Sequence, residues 1–123
     1  MNKPGCRWCA ENDMLGGKPL AQNRSHFLMA KDHASNPAAM IIPHHHVETP
    51  FDFTAEEWAD LGHMLGEAKN RLAEFNPDGF TVGWNIGAAG GQHIFHAHMQ
   101  VICRFADEPS AGQGLRDFLR TTT

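Results

Sequence analysis

The stretch "GGQHIFHAHMQVI", residues 90–102, puts three histidines within six positions and a glutamine two places after the last. In a strand, side chains at i, i+2 and i+4 point the same way. Phe95, Ala97, Met99, Val101, Cys103 and Phe105 then share one face, and all are apolar or small. That face reads as core. His96, His98 and Gln100 share the other, about 7 Å apart along the strand. A merely solvated face would be expected to carry Thr, Lys or Glu instead of two imidazoles and an amide. The spacing predicts a strand over 95–105 that packs on one side and lines a pocket on the other.

Working outward, "FTVGWNIG" (80–87) reads as a strand and "AAGG" after it as a glycine-rich turn. "HFLMA" (26–30) and "AAMII" (38–42) are short apolar runs joined by "KDHASNP", and they read as buried strands, the second ended by Pro43. Residues 1–24 read as loop, with "LGGKP" as a breaker. The segment 54–75 is the best helix. Thr54 is its expected N-cap and Glu57 completes a capping box. Trp58, Leu61, Leu65, Ala68, Leu72 and Phe75 form one apolar stripe, and "NPDG" stops the helix.

The bulk properties narrow the function classes. A chain of 123 residues is expected to form a single domain, 1–123, with a modest core. A net charge of -4 argues against a nucleic-acid partner, which would need a basic face. It does not argue against a small phosphate ligand, which needs only local donors. No apolar run approaches the roughly 20 residues of a membrane span, and "MNKPGCRWC" has no apolar signal region. The expectation is a cytoplasmic protein without a membrane partner. Three cysteines make a poor disulfide framework, and Cys6-x-x-Cys9 reads more naturally as a metal or redox pair.

A row of imidazoles suits phosphorus chemistry. An imidazole can attack phosphorus and carry the phosphoryl or nucleotidyl group covalently. The turn "NIGAAGGQ" can bring backbone N–H groups close to phosphate oxygens, and Asn85 and Gln92 are candidate neutral donors.

Here the sequence resembles a known family. "GGQHIFHAHMQVICR" looks like the signature of the histidine triad (HIT) superfamily of nucleotide hydrolases and transferases. "MIIPHHHVETPFDFTAEE" resembles that family's strand, Ile-Pro-x-x-His turn and helix, and "CRWC" resembles the zinc-binding start of many members. The resemblance covers roughly residues 6–105. It implies an α+β fold: an antiparallel sheet of about five strands, one long helix and a short C-terminal helix. It also implies a nucleotide substrate and a homodimer. His98 matches the nucleophile and His96 the first histidine of the motif. Gln92 and Asn85 match phosphate contacts, and Asp32 matches an aspartate that binds ribose hydroxyls.

Two departures from the family pattern matter. Gln100 stands where hydrolases usually have the third histidine, as in the transferase branch. Glutamine can donate a hydrogen bond to a phosphate oxygen but cannot deliver a proton. His93 stands where Ser or Thr is usual and could still donate to phosphate. The metal set implied is Cys6, Cys9, His46 and His96, with His44 or His45 as substitutes for His46. Two thiolates and two imidazoles form a closed tetrahedral set, so the zinc would be structural. The plainer alternative is a free CxxC and a solvated His44-His45-His46 loop.

The reading is a nucleotide hydrolase or nucleotidyltransferase acting on a nucleoside phosphate or dinucleoside polyphosphate. Phosphorolysis is the rival to hydrolysis. A non-catalytic, zinc-stabilised nucleotide-binding module is the rival from another class.

Overall fold

The computed structural model describes residues 3–120. Its centre is a five-stranded antiparallel sheet: β1 (Ala21–Gln22), β2 (His26–Ala30), β3 (Ala38–Pro43), β4 (Gly79–Gly83) and β5 (Met99–Arg104). The spatial order is β1-β2-β3-β5-β4, so β4 is an edge strand. One long helix, α1 (Ala55–Leu72), and a short C-terminal one, α2 (Asp117–Arg120), complete the α+β architecture. Among the described residues, no helix is long and apolar enough to cross a membrane.

The continuous apolar runs of β2 and β3 have a direct cause: both faces of the sheet are covered. On one face Leu28, Ala39, Ile41, Met99, Val101 and Cys103 pack with Leu61, Met64, Ala68 and Leu72 of α1. The alternate residues Phe27, Met29, Met40 and Ile42 pack on the other with Trp8 from the N-terminal segment. Register extends that second face. Met40 pairs with Gln100, Ala38 with Ile102, and Thr81 and Gly83 with Ile102 and Gln100. The face opposite α1 therefore runs from an apolar cluster to a more polar region around Gln100.

The helix begins as expected. The Glu57 N–H donates to Thr54 Oγ1 at 3.1 Å, and the Thr54 N–H donates to the Glu57 carboxylate at 2.9 Å. Such a cap contributes about 1 kcal/mol. A 3-10 turn over Ala73–Phe75 and a left-handed Asn76 end the helix. Two members of the expected stripe lie outside the core: Trp58 and Phe75 are each 45% exposed. Met64 is buried in the stripe and was not among the residues expected there.

The strands differ from expectation at their ends. The β4 ladder stops at Gly83, so Trp84–Gly87 is loop, and β5 starts only at Met99. Residues 95–98 lie outside the ladder; there the His96 ring turns inward onto the Pro43 carbonyl and the Ala97 N–H donates to the Val47 carbonyl at 2.7 Å. Alternation persists for Ala97 and Met99, both buried, but Phe95 is 42% exposed. β1 lies in a segment expected to be loop; it is two residues long and holds the edge of β2.

His26 opens β2 and is fully buried, with Phe53 edge-on at 5.4 Å and neither ring nitrogen hydrogen-bonded. Burial pushes its imidazole down to about 4, with Glu57 acting the other way. The unfolded chain takes up this proton near pH 6.5 and the folded chain only near pH 4. Stability from this ring is full above pH 6.5, falls through that window and levels off below pH 4. The loss is about 3 kcal/mol. His26→Phe keeps a ring and removes the proton. Urea denaturation above pH 6.5 and near pH 4 should give a smaller difference in the variant by most of that amount. An identical pH dependence in both proteins would count against this account.

Candidate active site and metal centre

Two clusters meet at His96. The first has Cys9 and His96 buried and Cys6 and His46 half-buried. Cys6 and Cys9 come from the N-terminal turn, His46 from the loop after β3, and His96 from the turn before β5. One ligand atom from each lies within 4.8 Å of all the others. Cys6 Sγ is 3.4 Å from His96 Nδ1, and Cys9 Sγ is 3.3 Å from His46 Nδ1 and 3.5 Å from His96 Nδ1. The two Nδ1 atoms are 3.1 Å apart.

Bond lengths near 2.3 Å for sulfur and 2.05 Å for nitrogen give tetrahedral edges of about 3.5 Å for S···N and about 3.3 Å for N···N. The four spacings above lie close to those edges, while the whole set spreads to 4.8 Å. The tautomer fits too. The Pro43 carbonyl can only accept, so the His96 Nε2, at 2.8 Å, carries the proton. Nδ1 is then a bare lone pair aimed at the cluster, the arrangement found where a carbonyl holds the far nitrogen of a metal-binding histidine. Two ring nitrogens and two sulfurs this close together make a donor set suited to a cation. Burial pushes His96 down to about 4 and lowers His46, keeping both rings neutral. Burial raises the Cys9 thiol; a bound dication would reverse that.

The second cluster lines a cavity of about 340 Å³ on the sheet face opposite α1. His98 and Gln100 line it, as do Asn85, His93 and Asp32. His98 Nδ1 lies 2.9 Å from the His96 carbonyl. That carbonyl also can only accept, so Nδ1 holds the proton and Nε2 keeps the lone pair. Gly91 stands beside Asn85 at φ +95°, a conformation that disfavours a side chain.

The structure separates the sequence candidates. His96 is fully buried and takes no part in the cavity wall. Gln92 is also buried, with its amide occupied: Nε2 donates to the Glu48 and Ile94 carbonyls, and Oε1 accepts from the Gly87 N–H. It latches the glycine-rich turn from inside and is not part of the cavity lining. Of the three adjacent histidines, His46 reaches the cysteines. His44 Nε2 sits 3.1 Å from the Asn23 carbonyl, and His45 lies 3.7 Å from Glu57.

Two residues outside the sequence candidates also line the cavity. Trp8 does so with its ring centroid 5.9 Å from that of His98. His33 does so beside Asp32. Its position in the turn between two buried strands was the available signal.

Known proteins share this fold. The chain is 33% identical over 67 residues to "Protein hit" of Bacillus subtilis, covering 54% of this chain and 46% of that one. The chain spans about half the length of the curated relatives it matches. A HIT family protein from Bacillus anthracis superposes with a TM-score of 0.74 at 21% identity, covering 99% of this chain and 89% of that one. A zinc-bound histidine triad family protein from Mycobacterium smegmatis superposes at 0.73 and 18% identity, covering 90% and 83%. The HIT domain family matches residues 21–107, which include both motif histidines and leave Cys6 and Cys9 outside. The chain belongs to the HIT domain family.

Proposed function

We propose that this chain cleaves a nucleoside phosphate or dinucleoside polyphosphate through a nucleotidyl group carried on His98. The observation that carries the proposal is the tautomer of His98, whose Nδ1–H is held on the His96 carbonyl at 2.9 Å. Nε2 is thereby left as a nucleophile in a cavity lined by Asn85, His93, Asp32 and Gln100. Nε2 attacks phosphorus and forms the N–P bond as the P–O bond to the leaving group breaks. The ring becomes cationic, and the carbonyl on Nδ1–H stabilises it. Water or a phosphate-bearing acceptor then attacks phosphorus and the N–P bond breaks. Asn85 and His93 are the phosphate donors in this reading, and Asp32 the ribose contact. A turnover screen with and without inorganic phosphate separates hydrolysis from phosphorolysis.

His98→Ala should abolish turnover and leave nucleotide binding and fold in place. Retention of more than about a tenth of the activity would refute covalent catalysis here, since losing a nucleophile costs orders of magnitude.

Gln100 cannot protonate a leaving group. Rate should depend steeply on leaving-group pKa, with phosphates fast and amine-bearing phosphoramidates slow. Gln100→His should narrow that gap, each tenfold being about 1.4 kcal/mol of barrier. The same leaving-group profile in both proteins would mean that Gln100 only positions a phosphate oxygen.

Zinc held by Cys6, Cys9, His46 and His96 is the second part of the proposal, and its role is structural. It would tie the N-terminal turn to the loops beside β3 and β5. The third part is a homodimer. Its support is the open edge of β4, with Val82 37% exposed, and the exposed Trp58 nearby, stacked edge-on with Trp84 at 5.7 Å. Native mass spectrometry reads both. The expected particle is two chains of 13.6 kDa with about one zinc each. Cys6→Ser should lower metal content and melting temperature together. A metal-free particle of unchanged stability would sink the zinc site, and a single-chain mass the dimer.

A further inference from the structure

We infer that Glu108 is a positioning residue for nucleotide recognition: acting through the side chain of Asn36, it holds the turn that carries Asp32 beside the His98 cavity. The inference rests on the ribose contact proposed for Asp32. That turn, residues 31–36, lies between β2 and β3, and Lys31, Asp32, His33 and Ala34 line the cavity. Residues 31–35 are all exposed, so burial does little to fix them. Ala34 stands at φ +55°, a region that residues with a side chain rarely adopt. An exposed tip with a left-handed alanine needs an anchor if its carboxylate is to meet a ligand at hydrogen-bond distance.

The anchor begins at Asn36, the half-buried end of the turn. Its main chain pairs with that of His33 in both directions, at 2.8 and 2.9 Å. Its side chain reaches away from the turn. Nδ2 donates to the Cys103 carbonyl on β5 at 2.7 Å and to Glu108 Oε1 at 3.0 Å. Glu108 has a side chain only 10% exposed. It also accepts from the Phe105 N–H at 2.6 Å and from Arg104 Nε at 3.1 and 3.2 Å. The Phe105 N–H, with Arg104 and Asn36, holds its carboxyl below the usual range, so it is an anion at neutral pH. Arg104 in turn donates to Thr81 Oγ1 on β4 at 2.8 Å, and to the Ser110 and Gln113 carbonyls at 2.7 and 2.9 Å. One carboxylate thus ties the tip of the β2–β3 hairpin to β5, and through Arg104 to β4 and the C-terminal segment.

The place of Glu108 makes it a positioning group and not a ligand contact. Asn36, Arg104 and Glu108 line a neighbouring cleft of about 580 Å³, outside the His98 cavity. None of the bonds above uses the Asp32 carboxylate. Glu108 lies one residue past the matched HIT domain, 21–107, so the family match does not carry this brace. A carboxylate gains from ribose hydroxyls only through short, well-aligned bonds, which weaken steeply as the angle falls. Fixing the turn before the ligand arrives removes an ordering cost from binding. The brace therefore acts on the ribose contact and not on the phosphate contacts.

The test is calorimetric binding of adenosine and guanosine 5′-monophosphates and of their 2′-deoxy counterparts, which differ by one ribose hydroxyl. Wild-type protein should favour the ribonucleotide about tenfold. Asn36→Ala, which spares the Arg104–Glu108 pair, should cut that ratio to about threefold or less by weakening the ribonucleotide alone. Glu108→Ala should do the same from the other end of the bond. A brace that served only the fold would weaken both nucleotides equally, or neither. A ratio unchanged in both variants, or an equal loss for both nucleotides, overturns the inference. Asp32→Asn separates it from the ribose assignment. A ratio lost in Asp32→Asn but kept in the two brace variants overturns the inference alone. A ratio kept in Asp32→Asn, or a wild-type chain with no ratio or no binding, overturns the ribose assignment and this inference with it.

Discussion

The hydrogen bond from His96 Nε2 to the Pro43 carbonyl, 2.8 Å long and fully buried, fixes three things together. It ties the turn before β5 to the end of β3. It sets the His96 tautomer, so that Nδ1 faces Cys6, Cys9 and His46 as a lone pair. And it holds the His96 backbone where its own carbonyl accepts a hydrogen bond from the His98 Nδ1–H at 2.9 Å. The ring of one histidine faces the two cysteines while its main chain aims the next histidine. Loss of this bond to the Pro43 carbonyl would loosen both, because a buried ring with no fixed tautomer can turn either nitrogen toward the cysteines.

The sheet supplies the other half of the constraint. Period two in β2, β3 and β5 sends every second side chain to α1 and the rest to the face that carries the cavities. A small residue keeps that face open: Ala38 lies where β3 passes under the His98 cavity. The core and the site are thus two sides of the same strands, and the packing of α1 holds the cavity floor rigid.

The fold was legible where local periodicity is the cause. The apolar runs at 26–30 and 38–42, the capping box at Thr54 and the alternation from Ala97 to Cys103 all appear in the structure. Periodicity fails where a long-range contact decides. Nothing local in "HIFHAH" says that the ladder waits until Met99; the partners of that segment, Pro43 and Val47, are far away in sequence. Trp58 fits the helical stripe by spacing yet packs edge-on against Phe53 and Trp84 at the rim. The metal candidates were legible from spacing and family resemblance, and the structure adds their distances. Gln92 illustrates the opposite case: a motif position that looks like a ligand contact has every polar atom engaged by the backbone.

The chain has three tryptophans and no tyrosine. Trp58 and Trp84 stand together at the rim, 5.7 Å apart, whereas Trp8 sits alone against the His98 ring at 5.9 Å. Near-ultraviolet emission therefore divides by location. Two indoles exchange energy with each other and report on the edge of the sheet. The third lies between the two cysteines in sequence and beside the His98 imidazole in space. A cationic imidazole in contact with an indole withdraws its excited-state electron density, and a neutral one does so far less. In the proposed reaction His98 gains a charge, and that charge would be written into the emission of a single residue.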